Sequence, residues 1–330
     1  MGRVPAGRVP VVVMGLGHIG REICRAAAAS EEVELVGAVE RAPGLAGASL
    51  GEFVGMSSTL RVSGTLKEAR GPKGAVLLHA TSSQLETVLE ELLDAVRQGH
   101  PVVSTCEELA FPFLRHPELA ERLDRAAQRS GVSVVGTGIN PGFVLDRLVA
   151  TLGQTLGAVR HVQGTRSVDA GSRRESFQRK VGAGLTEEAF YALAEKDAVG
   201  HVGLAESAAL CALGLGLDCD DFEEELVPLL AEEDYPGSPL KVAKGQVAGV
   251  HQTAVGLEDG QERVRLELTL AVGAEAVDRI VLDADTRLTF EVPGGIPGDS
   301  ATAHLVVHAA PRLTAASPGL LTVLDLPAGR

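Results

Sequence analysis

Val9-Pro-Val-Val-Val-Met-Gly-Leu-Gly-His-Ile-Gly20, followed directly by Arg21-Glu-Ile-Cys-Arg-Ala-Ala-Ala-Ala29, is the stretch from which the rest of the chain is read. It opens on a short β-branched apolar run, passes through glycines at GxGxxG spacing and ends in residues that favour helix. A strand, a glycine turn and a helix in that order bring backbone amides and the positive end of a helix dipole to one point, which suits a pyrophosphate. One glycine makes the tight turn, the next admits a phosphate close to the backbone, and the third lets helix and strand pack. Gly15, Leu16, Gly17, His18, Ile19 and Gly20 are therefore candidate cofactor contacts. In a chain with 39 glycines the hexapeptide alone is a weak signal, and its context strengthens it. A second strand-like run, 34–39, ends on Glu40, 20 positions after Gly20. A carboxylate there accepts from both adenosine ribose hydroxyls and favours NAD, whereas the adjacent Arg41 can pair with a 2'-phosphate and admit NADP. The balance tilts slightly toward NAD.

Working outward, a third buried-type strand at 75–80 ends in Thr81, Ser82 and Ser83. Leu85, Val88, Leu89, Leu92, Leu93 and Val96 then recur at helical spacing, closed by Gly99. A strand at 101–104 leads into Thr105-Cys-Glu-Glu-Leu109, a helix covers 117–130, and a strand at 132–135 runs into Gly136-Thr-Gly-Ile-Asn-Pro-Gly142. Strands alternating with helices predict an α/β fold, a Rossmann-type doubly wound parallel sheet, whose ligands bind beyond the carboxyl ends of the strands. Thr81, Ser82, Ser83, Thr105, Gly138 and Asn140 sit at such ends and are expected along the nicotinamide half of the site. The Asn140 amide suits the carboxamide or the substrate, and Pro141-Gly142 is expected to open a helix near Phe143; a plain turn accounts for the same residues. Glu107 and Glu108, being adjacent, point in different directions, so one of them faces the cleft. A carboxylate beside a nicotinamide suits chemistry that develops positive charge; the alternatives are surface acids or a helix cap.

Beyond about residue 150 the pattern changes. A strand at 159–168 and helices at 187–195 and 204–213 precede a period-two region, 245–292, with a hairpin turn at Glu258-Asp-Gly260. The chain is thus expected to divide into a dinucleotide-binding domain, 1–150, and an α+β domain on a mixed or antiparallel sheet, 151–297. The segment 298–330, with a helix near 300–308, is a candidate to pack back onto the first. With 30 Lys plus Arg against 44 Asp plus Glu, the net charge of -14 repels phosphate backbones, so no nucleic-acid partner is expected. The four cysteines have no zinc spacing and are too sparse for a disulfide scaffold, so no metal site and a reducing, cytoplasmic setting are expected. No apolar run reaches the roughly 20 residues that span a bilayer, and Met1–Pro10 lacks the apolar stretch of a leader. Against the glycines stand only 8 Phe, 2 Tyr and no Trp, and Phe111, Phe143 and Phe177 fall in or beside segments assigned to the site.

Several spaced segments together resemble a known family. Ser104-Thr-Cys-Glu-Glu-Leu109, Gly136-Thr-Gly-Ile-Asn-Pro-Gly-Phe143, Lys180-Val-Gly-Ala-Gly-Leu185, Gly200-His-Val-Gly-Leu204, Gly298-Asp-Ser-Ala-Thr302, Ser317-Pro-Gly-Leu-Leu-Thr322 and Asp325-Leu-Pro327 are similar, in order and across nearly the whole chain, to the 2,4-diaminopentanoate dehydrogenases and related native amine dehydrogenases, often labelled dihydrodipicolinate reductase-like. The resemblance implies a homodimer joined through the sheet of the second domain. It also implies reversible NAD(P)-dependent deamination of a primary amine, or of an amino acid like 2,4-diaminopentanoate, to a ketone plus ammonia. It further implies a catalytic glutamate at Glu108, with Glu107 as the fallback. Asn140, Phe143, Phe177 and His201 are the expected substrate-pocket residues, with walls from both domains. Arg166, Arg173, Arg174 and Lys180 are the cations available to a substrate carboxylate. The chain lacks the His-His and Lys segment of true dihydrodipicolinate reductases and carries His308 where an asparagine is expected. The competing activity is reduction of an imine or semialdehyde; the competing class is a non-catalytic dinucleotide-binding redox sensor.

Overall fold

The computed structural model describes residues 7–69 and 71–329. Residues 1–6, and with them most of the opening inspected above for a leader, lie outside the described residues, as do 70 and 330. Two compact units emerge, one from residues up to Phe143 together with those from Pro297 onward, the other from Val144–Ile296.

In the first unit the quoted stretch forms strand β1 (Val9–Met14), the glycine turn and helix α1 (His18–Ala29). The chain continues through β2 (Val33–Val39), α2 (Leu50–Val54), β3 (Val62–Ser63), β4 (Val76–His79), α3 (Leu85–Arg97), β5 (Val102–Ser104), α4 (Pro117–Ser130) and β6 (Ser133–Gly136). Apolar residues at helical spacing on α3 and α4 cover one sheet face, where Val12, Leu77, Val102 and Val134 meet Leu92 and Leu123.

The Pro-Gly turn does not open a helix near Phe143. Gly142 has φ 124 and a Cβ there would stand 2.5 Å from Gly138 N, so the backbone keeps turning until Asp146 caps α5 (Arg147–Gly153) by accepting from Arg147 N.

The second unit adds β7 (His161–Asp169), α6 (Glu175–Lys180), α7 (Glu187–Ala194), α8 (Leu204–Leu215), β8 (Asp221–Leu230), β9 (Val247–Glu258), β10 (Gln261–Ala271), β11 (Val277–Asp283) and β12 (Arg287–Pro293). They build a six-stranded sheet in the order β12-β11-β7-β10-β9-β8. It is mixed, because β7 and β10 run parallel while every other pair is antiparallel. The β9–β10 turn has Asp259 and Gly260 at φ 50 and 73, the positive values that a two-residue hairpin loop demands. Strand β8 escapes the sequence pattern because it is an edge strand with acids on a largely exposed ladder and Pro228 within it. Inside this unit Arg166 and Asp278, both almost fully buried, face each other across β7 and β11. Arg166 Nη1 donates to both Asp278 oxygens at 2.6 Å and Nη2 donates to Ile296 O at 2.8 Å, while Ile296 N donates to Asp278 Oδ2 at 2.7 Å. Burial works against the Arg166 charge and the Asp278 carboxylate opposes that effect.

The chain then returns to the first unit as α9 (Gly298–Leu313) and β13 (Gly319–Leu321). Helix α9 packs along α1, and β13 pairs with β6, completing a seven-stranded, wholly parallel sheet in the order β13-β6-β5-β4-β1-β2-β3. Strand order reverses between β1 and β4, the point where a doubly wound sheet opens its ligand crevice.

Removing one member of the buried pair leaves an uncompensated charge in the second unit. Asp278→Ala is expected to lower stability by about 3–5 kcal/mol in urea unfolding followed by circular dichroism, and replacing Arg166 by Met together with Asp278 by Leu is expected to cost less than that single change.

Candidate active site

At the reversal point the glycine turn is set by backbone contact. A Cβ on Gly20 would lie 1.7 Å from Gly15 O, and one on Gly15, where φ is 85, would lie 2.4 Å from Ala80 O. Gly17 differs: its φ of -61 suits any residue and a Cβ would meet nothing within 4 Å. Protein packing therefore does not require glycine at 17, whereas a phosphate laid against that backbone does. Helix α1 begins there with no side-chain cap and no acid in its first turn, leaving amides and dipole to an anion. Leu16 is buried, Ile19 is half-buried, and His18 Nε2 sits 3.0 Å from Asp299 Oδ2 at the start of α9. These features fit a bound dinucleotide.

At the end of β2, Glu40 Oε2 accepts from Leu16 N at 2.7 Å and Oε1 from Ala42 N at 2.9 Å, so the acid is held beside the turn. Arg41 reaches away to Glu91 of α3, at 2.5 Å. At the end of β4, Thr81 Oγ1 bonds Glu91 and His79, Ser82 Oγ accepts from Gln84 N, and the Ser83 carbonyl accepts from Glu108 N and Cys106 Sγ. These bonds tie the segment after β4 to the one after β5. Thr105 N donates to the His79 carbonyl.

Glu108 begins a 3-10 turn, Glu108–Ala110, and turns its Oε2 to the start of α3, where Leu85 N donates at 2.6 Å and His116 Nε2 lies 3.1 Å away. Glu107, half-buried, precedes that turn. Cys106 is buried, and burial pushes its thiol well above the ordinary range, which disfavours the thiolate. At the end of β6, Asn140 is buried and Gly138 leaves room for Pro141 O and the Thr302 side chain of α9, whose hydroxyl accepts from Ile139 N. Phe143 is half-buried in this unit.

Phe177 and His201 belong to the second unit. Arg173 lies over the Phe177 ring at 5.1 Å, and the Gln252 amide braces the His201 backbone from both sides. Arg166 is committed to Asp278 and is not an available cation. Among the described residues Phe190 is the one fully buried Phe or Tyr; Phe111 stands edge-on to the exposed Phe113.

Local pattern missed His79, Glu91, Ser104, His116, Asp299 and Thr302. The one signal for the first was a histidine closing an otherwise apolar buried strand.

A parallel doubly wound sheet with a glycine turn shaped for a pyrophosphate and carboxylates beyond its strand ends defines a nicotinamide-dinucleotide-dependent oxidoreductase. Residues 143–330 match the family model of the 2,4-diaminopentanoate dehydrogenase C-terminal domain, and the chain belongs to that family. Residues 9–106 match the dihydrodipicolinate reductase N-terminus. The chain is 29% identical to 2,4-diaminopentanoate dehydrogenase of Acetoanaerobium sticklandii, over 98% of this chain and 94% of that one. It is 21% identical to an amine dehydrogenase of Streptomyces virginiae, over 97% and 96%. The solved amine dehydrogenase of Mycobacterium smegmatis shares the fold, with a TM-score of 0.84 at 22% identity over 99% of this chain and 98% of that one. Among the described residues no helix is long and apolar enough to cross a membrane.

The glycines separate fold from binding. Gly17→Ala is expected to leave the thermal midpoint within about 2 °C and to weaken NADH binding at least about tenfold by fluorescence titration, whereas Gly20→Ala is expected to lower the midpoint itself, because residue 20 cannot carry a Cβ without moving Gly15.

Proposed function

We propose that the protein catalyses reversible oxidative deamination of a primary amine to a ketone and ammonia, with NAD favoured over NADP. The observation that carries this is the pair of carboxylates, Glu107 and Glu108, following β5 on a segment fixed to the residues after β4. A nicotinamide dinucleotide held by the Gly15–Gly20 turn and Glu40 would supply the hydride acceptor for the amine-bearing carbon.

The chain supplies position, field and proton transfer. Glu108 takes a proton from the substrate ammonium and releases it to solvent, stabilises as a carboxylate the iminium left after hydride departs, takes a proton from the water that attacks the iminium and returns that proton to the nitrogen; collapse then gives ketone and ammonium. Its bonds to Leu85 N and His116 fix that carboxylate before substrate arrives. The same bonds favour a second assignment, in which Glu108 clamps α3 and Glu107 handles the proton. Asn140 is assigned to the carboxamide or substrate, Thr105 and Gly138 to the nicotinamide half, and Phe143, Phe177 and His201 to substrate.

We also assign the chain to a cytoplasmic homodimer. Four free cysteines fit a reducing compartment. The second unit's sheet packs α8 against β8, β9 and β10 on one face, while Gln163 and Thr165, both donating to Glu267, line with it a face suited to a second copy. Light scattering at twice the 34.2 kDa chain mass tests the dimer.

A panel of carbonyl compounds and amines, including 2,4-diaminopentanoate, run with both cofactors decides the reaction. NADH consumption with a ketone is expected to require ammonium; consumption without it marks a reductase of preformed imines or semialdehydes. Glu108→Gln is expected to lower kcat by about a hundredfold or more with NADH binding intact, and Glu107→Gln by less than about tenfold; the reverse order transfers the role to Glu107. Glu40→Ala is expected to weaken NAD more than NADP, read as a fall in the NAD-to-NADP ratio of kcat/KM.

A further inference from the structure

Arg41, the cation that would receive a 2'-phosphate, already faces an anion. Its Nη1 lies 2.5 Å from Glu91 Oε1, and the guanidinium side chain is 59% exposed while the Glu91 side chain is 17% exposed. Glu91 is itself held from within. Its Oε2 accepts from Thr81 Oγ1 at 2.9 Å and lies 3.0 Å from His79 Nε2. His79 is fully buried, its Nδ1 lies 2.8 Å from Ser104 Oγ, and that hydroxyl accepts from Cys106 N. A buried imidazole bonded at both nitrogens cannot swing away. Glu91 therefore turns one oxygen inward to a fixed anchor and the other outward to Arg41. The His79 hydrogen bond, ahead of the opposing effect of burial, holds the Glu91 carboxyl below its ordinary range and keeps it anionic.

The neighbouring Glu40 is separately fixed by Leu16 N and Ala42 N. The two acids thus divide the end of β2: Glu40 stands beside the glycine turn, and Glu91 occupies the guanidinium one residue on. We propose that Glu91 is a specificity-determining residue that holds Arg41 as an internal counter-anion, so that a 2'-phosphate must displace it whereas a 2'-hydroxyl does not. The assignment rests on the dinucleotide site proposed above and adds a residue from α3, well away in sequence from the glycine motif. An exposed ion pair is weak, so the handicap it imposes is modest and adjustable: the chain retains NADP(H) binding and ranks it below NAD(H).

The test is direct titration of the full chain by the fluorescence of bound NADH and NADPH. Glu91→Gln is expected to tighten NADPH about two- to fivefold and to move NADH by less than about twofold. In an Arg41→Gln background the same change is expected to move NADPH by less than about twofold. Glu91→Asp keeps the charge near His79 but draws it back from Arg41, and is expected to tighten NADPH in the same direction by a smaller factor, which covers a Glu91→Gln chain that fails to fold. An unmoved NADPH-to-NADH Kd ratio in the folded Glu91 variants, or tightening that persists without Arg41, overturns the proposal while leaving the dinucleotide site standing. Binding of neither dinucleotide by the unsubstituted chain overturns both.

Discussion

The Gly15 carbonyl and the Gly20 backbone approach so closely that a side chain at residue 20 would begin 1.7 Å from that oxygen. Everything at the ligand end of the first unit follows from this contact. It forces β1 to turn and α1 to start where it does, and it sets the Leu16 amide toward Glu40. Gly15 in turn abuts Ala80, so the segment after β4 is fixed against the same turn. Helix α9 then packs along α1, bringing Asp299 to His18 and Thr302 to Ile139, and carries the end of the chain back under the site. A site laid on rigid strand ends keeps its geometry when a flexible substrate enters, which is what catalysis by position and field requires.

Polar side chains bind these strand ends to one another. One chain of contacts runs Arg41, Glu91, His79, Ser104, Cys106, joining β2, α3, β4 and the segment after β5. Another runs from His116 through Glu108 to the first amide of α3. The carboxylates are thus parts of a frame as well as candidate participants in chemistry. An anion in such a frame is oriented in advance, without the reorganisation that water would need around a developing cation.

The second unit solves a different problem. Phe190 is the fully buried aromatic ring of its core among the described residues, and its aliphatic layers enclose the buried ion pair of Arg166 with Asp278. The bonds of that pair to the N–H and the carbonyl of Ile296 fix the last residue before the chain re-enters the first unit. A cation that composition offers to substrate is therefore spent on architecture.

The sequence by itself determined the elements whose signals are local. The strand, glycine turn and helix of 9–29, the acid at 40, the apolar stripe of α3 and the turn at 259–260 each follow from side-chain period or from a φ that few residues tolerate. It also placed two acids, Glu107 and Glu108, just after β5. Tertiary structure decided what depends on partners distant along the chain: the parallel pairing of β7 with β10, the return of α9 and β13, and the capture of Arg41 by Glu91 and of Glu108 by Leu85. Those choices leave no periodic trace, because a hydrogen bond between residues 23 or 50 positions apart is fixed by packing of the elements that carry them. The helix expected near Phe143 failed for the same reason, as the approach of Gly142 to Gly138 outweighed the local preference of Pro-Gly for a helix start.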